Sequence, residues 1–131
     1  MIDARLDLKR RERLGMVEAV WGEHKTAEQI IAILERFSAA DELGLVTRVS
    51  PEKADAVLAA LPAVEAHADA RCLTFGKLPA LPPGPPPVAV LSGGSSDRSV
   101  VAETTLALRC HGIAVDSVMD VGVAGLHRLL D

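Results

Sequence analysis

Val88-Ala89-Val90-Leu91-Ser92-Gly93-Gly94-Ser95-Ser96-Asp97 is the stretch that decides how the chain is built. Four apolar residues run into a glycine-serine turn. Arg98 to His111 then reads as a helix that stops at Gly112. A second apolar run, Ile113 to Met119, leads into the polar loop Asp120-Val121-Gly122-Val123-Ala124-Gly125-Leu126-His127-Arg128. Strand, turn, helix, strand and loop in that order make a parallel βαβ unit. Such units place their sites at the carboxyl ends of the strands. Val88 to Leu91 is apolar at every position, as a strand covered on both faces requires.

The turn carries the first candidate chemistry. Glycines let a backbone approach a ligand closely, serines add hydroxyl donors, and the free amides of a following helix favour an anion. A phosphate at Gly94, Ser95 and Ser96 is therefore one reading; an ordinary capped strand-to-helix turn is the other. The pattern is neither a Walker A loop nor a GxGxxG fingerprint. Asp97 is placed to cap the helix or, with a ribosyl phosphate on the turn, to accept hydrogen bonds from ribose hydroxyls. His127 and Arg128 follow the second strand, and neighbouring parallel strands put their following loops side by side. A histidine there can transfer protons and an arginine can pair with phosphate or carboxylate, or the two can simply form a surface pair.

Working back along the chain, Pro79-Ala80-Leu81-Pro82-Pro83-Gly84-Pro85-Pro86-Pro87 has six prolines and a glycine in nine residues. That composition excludes a helix or a central strand and favours an extended spacer. Before it, Thr26-Ala27-Glu28-Gln29 is a capping box, with Ile30, Ile33, Leu34 and Phe37 on one helical face behind it. The spacing predicts a helix from Ala27 to about Ala40. Ser50-Pro51-Glu52 starts a second helix, with Ala54, Val57, Leu58 and Leu61 on its apolar face and Pro62 ending it. Strands are expected within Met16–Trp21, Leu43–Val49, Val64–Ala66 and Arg71–Phe75. The first thirteen residues hold Arg5, Lys9, Arg10, Arg11 and Arg13 against Asp3, Asp7 and Glu12. They read as a solvated, partly ordered arm, or as one that reaches an anionic ligand or a neighbouring subunit.

Composition narrows the function classes. The chain has 131 residues, 49% hydrophobic and 24% charged, which suits one ordinary domain or two small ones. A net charge of −4 and an aromatic content of 2% argue against nucleic acid as a partner, because neither a basic footprint nor stacking faces are present. No apolar run approaches the ~20 residues of a membrane span, and the charged start lacks the pattern of a signal peptide. A cytoplasmic setting is expected. Cys72 and Cys110 form no CxxC and read as reduced, structural thiols; His24 and His67 stand alone and read as surface histidines, with no metal set.

The two segments Val88–Asp97 and Asp120–Arg128 together resemble the aminoimidazole ribonucleotide carboxylase superfamily, and most closely its LarB branch. The purine-pathway enzymes carry G-S-x-S-D after the first strand and S-A-H-R after the second. Here Gly94 replaces the first of those serines, and Gly125-Leu126-His127-Arg128 stands for S-A-H-R. Arg5-Leu6-Asp7, Gly15, Glu18, Lys25–Ile30 and Thr47–Lys53 are similar to the amino-terminal region of the same branch.

The resemblance implies an α/β fold in three parts. Residues 1–78 would be a small amino-terminal αβ module and 79–87 a proline-rich linker. Residues 88–131 would be the first βαβ unit of a parallel-sheet, flavodoxin-like three-layer domain, the incomplete first half of a carboxylase-type nucleotide-binding domain. It also implies carboxylation of nicotinic acid adenine dinucleotide with release of AMP, giving pyridinium-3,5-biscarboxylic acid mononucleotide for the nickel-pincer nucleotide. CO2 or bicarbonate would be co-substrate, with no cofactor in this chain and room left for Mg2+. Gly94, Ser95, Ser96, Asp97 and Arg128 would bind the nucleotide, and His127 would line the reacting end as a catalytic residue. The family is thought to use a cysteine nucleophile on the pyridinium ring. Neither Cys72 nor Cys110 matches its position, so the chain is expected to be the amino-terminal part of a longer, homo-oligomeric enzyme and inactive alone. Two alternatives stand beside this reading: an aminoimidazole ribonucleotide carboxylase or mutase, and a non-catalytic nucleotide-binding or assembly module.

Overall fold

A computed structural model describes residues 5–122 and 124–130. Asp3 of the basic arm, Val123 of the glycine-broken loop and Asp131 lie outside the described residues. Helix α1 (Arg10–Leu14) is followed by β1 (Ala19–Trp21), α2 (Ala27–Ala39), β2 (Gly44–Thr47), α3 (Pro51–Ala60), β3 (Glu65–His67) and β4 (Cys72–Phe75). After the proline-rich segment come β5 (Val88–Leu91), a 3-10 turn (Ser95–Asp97), α4 (Arg98–Cys110), β6 (Val115–Val118) and α5 (Leu126–Leu130). The fold is α/β. None of its helices is long and apolar enough to cross a membrane among the described residues.

The two helix starts form as their sequences dictate. Thr26 Oγ1 accepts the Gln29 N–H at 3.1 Å, and Gln29 Oε1 accepts the Thr26 N–H at 2.9 Å, closing the capping box. Ser50 Oγ accepts the Lys53 N–H at 3.3 Å ahead of Pro51 in the first turn. Ile30, Ile33, Leu34 and Phe37 are all buried, and Val57 anchors α3 beside them.

The first sheet runs β1-β2-β4-β3, with β1 parallel to β2 and the other pairs antiparallel. Alternation along its strands divides the core in two. Val20, Val46 and Leu73 face α2 and α3. Leu45 and Cys72 face the other way, where Val17, Leu43 and Ala70 join Leu106 and Cys110 of α4. The second sheet is the parallel pair β5-β6, in register from Val88↔Val115 to Leu91↔Val118. Helix α4 also packs on this pair, so it is shared between two sheets.

Residues 79–87 hold no helix or strand, as their prolines require. They part the two sheets in sequence while α4 joins them in space. Gly112, at φ +72°, ends α4 in a left-handed turn against Pro79. A β-carbon there would lie 3.6 Å from the Pro79 ring. Arg48 at the end of β2 adds an ion pair to Glu103 of α4 at 2.9 Å. The basic arm is more ordered than a solvated tail. Leu6 and Leu8 pack on the α2–α3 side of the core. The Asp7 N–H donates to Glu18 at 2.7 Å, and Arg13 pairs with Asp7. Apolar side chains at positions 6 and 8 carry that order, and Asp7 between them is half-buried.

Candidate functional site

The carboxyl ends of β5 and β6 are laced together. The Ser92 N–H donates to the Val118 carbonyl at 3.0 Å, and the Val121 N–H donates back to the Ser92 carbonyl at 2.9 Å. The glycine-serine turn and the loop after β6 therefore lie side by side, as expected of adjacent parallel strands. Gly93 and Gly122 touch through their backbones: a β-carbon on Gly122 would stand 3.5 Å from the Gly93 carbonyl oxygen.

The turn is organised around a carboxylate. Asp97 Oδ2 accepts the N–H groups of both Gly93, at 3.2 Å, and Gly94, at 3.3 Å. Two converging amides form an anion-holding nest, and here the anion is the protein's own. An incoming phosphate on those amides would have to displace Asp97. With Asp97 so engaged, its carboxylate is drawn back to the turn rather than turned toward a sugar. Ser95, Ser96 and Asp97 are exposed, and Gly94 is partly covered. Ser92 Oγ is buried with no hydrogen-bond partner among the described residues. A hollow of about 270 Å3 opens beside the turn, lined by Leu91, Ser92, Gly93, Asp97, Val100 and Thr104.

His127 and Arg128 sit on the short helix α5, both exposed to solvent. Arg128 Nη1 pairs with Asp120 Oδ1 at 2.9 Å, and Asp120 holds a left-handed backbone at φ +64°. The pair is open to water and worth less than about 1 kcal/mol, so Arg128 is readily drawn to another anion. His127 makes no hydrogen bond among the described residues, and its ring lies close to Gly125. Two residues of this region escaped the sequence reading. Asp120 pairs with an arginine eight positions later, a spacing with no local signal. Ser92 reads as the opening residue of the turn, and its buried hydroxyl shows only once the loops meet.

The cysteines are remote from these loops. Cys72 and Cys110 are both buried in the layer between α4 and the first sheet. Burial pushes the Cys72 thiol up to about 11, with Glu103 nearby adding to the shift. Burial likewise raises Cys110 to about 11, against a smaller opposing pull from Arg11. A thiol so placed is a poor nucleophile near neutral pH. His24 is exposed and meets the Trp21 ring edge-on at 5.0 Å. His67, expected at the surface, is half-buried and hydrogen-bonded to the buried Thr74 hydroxyl at 2.8 Å. The hairpin between β3 and β4 brings the two together, a pairing that neither residue announces alone. Among the described residues, no group of three or more His, Cys, Asp or Glu could hold a metal ion.

Fold and loops together define an α/β protein whose two parallel strand ends present a glycine-serine turn against a second polar loop, the place where open parallel sheets hold ligands. A family model described as the LarB/PurE-like N-terminal domain matches residues 1–77, and the chain belongs to that family. The match spans β1 to β4 and the helices packed on them; β5, the turn and β6 follow it. It relates the chain to the carboxylases and mutases of the LarB and PurE kind. No curated protein matches the chain.

Proposed function

We propose that this chain contributes the nucleotide-binding start of a LarB-type enzyme, which carboxylates nicotinic acid adenine dinucleotide and cleaves its phosphoanhydride to release AMP. The observation that carries the reading is the family match over residues 1–77 standing directly ahead of two strand-end loops that touch at Gly93 and Gly122. Gly94, Ser95 and Ser96 take the substrate's phosphate after Asp97 swings off the amides and turns to the ribose. Arg128 leaves Asp120 for the substrate's negative charge, and His127 supplies a proton-transfer group at the reacting ring. The carboxyl group comes from CO2 or bicarbonate.

A pyridinium ring must be made electron-rich before it accepts a second carboxyl group. Buried thiols raised to about 11 do not serve as the nucleophile for that step. The chain alone therefore binds nucleotide without turning it over. Exposed apolar side chains on β5, β6 and α5, among them Leu91, Val118, Leu126 and Leu130, support assembly with further protein, including other copies.

The test is AMP release by the intact enzyme given nicotinic acid adenine dinucleotide and bicarbonate, run beside the same protein given aminoimidazole ribonucleotide. Bicarbonate-dependent AMP release with the dinucleotide supports the proposal. Carboxylation of aminoimidazole ribonucleotide alone would replace it with the purine-pathway activity.

A further inference from the structure

A second, larger groove runs along α4 and meets the hollow beside the glycine-serine turn only at Val101. It encloses about 540 Å3, within the range of small-molecule sites, between the β3–β4 turn, α4 and β6. Its floor is apolar, from Val101, Ala102 and Leu106, with Met119 at one side. Two guanidinium groups, Arg98 and Arg109, stand along it. Neither makes a hydrogen bond or ion pair among the described residues. Asp69 is the acid on its rim, and the Thr105 and Ser117 hydroxyls meet at 3.4 Å midway.

The charges are arranged with a direction. Arg98 occupies the first turn of α4, directly after the Asp97 N-cap, whose carboxylate is turned onto the Gly93 and Gly94 amides. A cation at that end opposes the helix dipole and adds to its positive potential. An arginine there adds nothing to the stability of the helix and leaves its guanidinium free to meet an anion. Arg109 lies in the last turn, eleven residues later and on the same face. At 1.5 Å per residue the two positions are roughly 16 Å apart, too far for one phosphate and suited to a molecule of nucleotide length.

We propose that this groove binds a small organic phosphate of nucleotide size. The phosphate pairs with Arg98, the flat ring system lies over Val101, Ala102 and Leu106, and the far edge of the ring reaches toward Arg109. The site is built jointly by the amino-terminal sheet and α4, so its ligand would hold the two against each other. It does not rest on the carboxylation reading, because none of its contacts involves Gly93, Gly94 or His127.

The experiment is a titration of the 15N-labelled 131-residue chain with AMP, followed by amide shifts. Millimolar AMP is expected to move Ala70, Thr105 and Arg109. Arg98→Gln and Arg109→Gln are each expected to weaken that binding roughly tenfold, the loss of a charge-assisted hydrogen bond. Both side chains are exposed, and an unchanged spectrum of each free variant confirms that it is folded. No shifts in the groove, shifts confined to Gly93 and Gly94, or variants that bind AMP as tightly as the parent would each overturn the proposal.

Discussion

His111 Nε2 accepts the backbone N–H of Val17 at 3.0 Å, while Nδ1 bonds the Ala107 carbonyl at 2.7 Å. One ring nitrogen must accept and the other donate, so the imidazole is neutral with its proton on Nδ1. The bond ties the start of β1's approach to the end of α4 across 94 residues. It closes the same layer in which Val17, Leu45, Cys72, Leu106 and Cys110 pack.

His111→Phe keeps the ring's bulk and removes the acceptor. The Val17 N–H is then left without a partner in a partly buried place. We expect a loss of about 1–3 kcal/mol in unfolding free energy. Urea denaturation measures it directly, and an unchanged midpoint and slope would show that the contact carries no stability.

The two thiols set a limit at high pH. Each rises from an ordinary value of 9.0 to about 11 because folding buries it. Between those values the unfolded chain has released the thiol protons and the folded chain keeps them. Folding stability is therefore intact below pH 9.0 and falls as pH climbs toward about 11. Cys110→Ala should flatten that decline, and the native protein at pH 8 should react slowly with a thiol reagent that labels the unfolded chain at once. Rapid labelling of both cysteines in the folded protein would contradict the buried layer.

Gly22 has no room for a side chain. A β-carbon would stand 2.9 Å from both the Thr47 carbonyl oxygen and Val46 Cγ1. The backbone there is already committed: the Gly22 N–H donates to Thr47 at 2.8 Å, and Lys53 Nζ donates to the Gly22 carbonyl at 3.1 Å. Gly22→Ala should cost about 1–3 kcal/mol through overpacking, visible as a lower thermal midpoint. A neutral substitution would mean that β1 and β2 can spread apart freely.

Much of this architecture is encoded in neighbouring residues. Thr26 with Gln29, and Ser50 with Pro51, announce their helices because each cap is closed within four positions. The β5–turn–α4–β6 order is equally local. The shared role of α4 is not. Leu106 and Cys110 satisfy a helical period whether they face their own sheet or the one before the prolines, so the docking partner cannot be told from the period. The site is divided in the same way. Glycines and serines mark the turn, and parallel pairing predicts that the second loop meets it. The state of Asp97 depends on where the Gly93 and Gly94 amides point, which local sequence leaves open.

That state yields a prediction for the intact enzyme. Asp97→Ala frees the two amides but removes the proposed ribose acceptor, so nicotinic acid adenine dinucleotide should bind roughly tenfold more weakly by calorimetry. His127→Ala should lower turnover by a factor of about 100 or more with little change in affinity, as loss of an acid-base group does. Full turnover in the second variant would return His127 to an ordinary surface position.

The most direct measurement is an amide-shift titration of the 131-residue chain with nicotinic acid adenine dinucleotide. Saturable shifts are expected at Gly93, Gly94 and Gly122, with the Gly93 and Gly94 amides changing as Asp97 gives way to phosphate. Absence of shifts at all three glycines under saturating dinucleotide would contradict it and leave the loops without a nucleotide to hold.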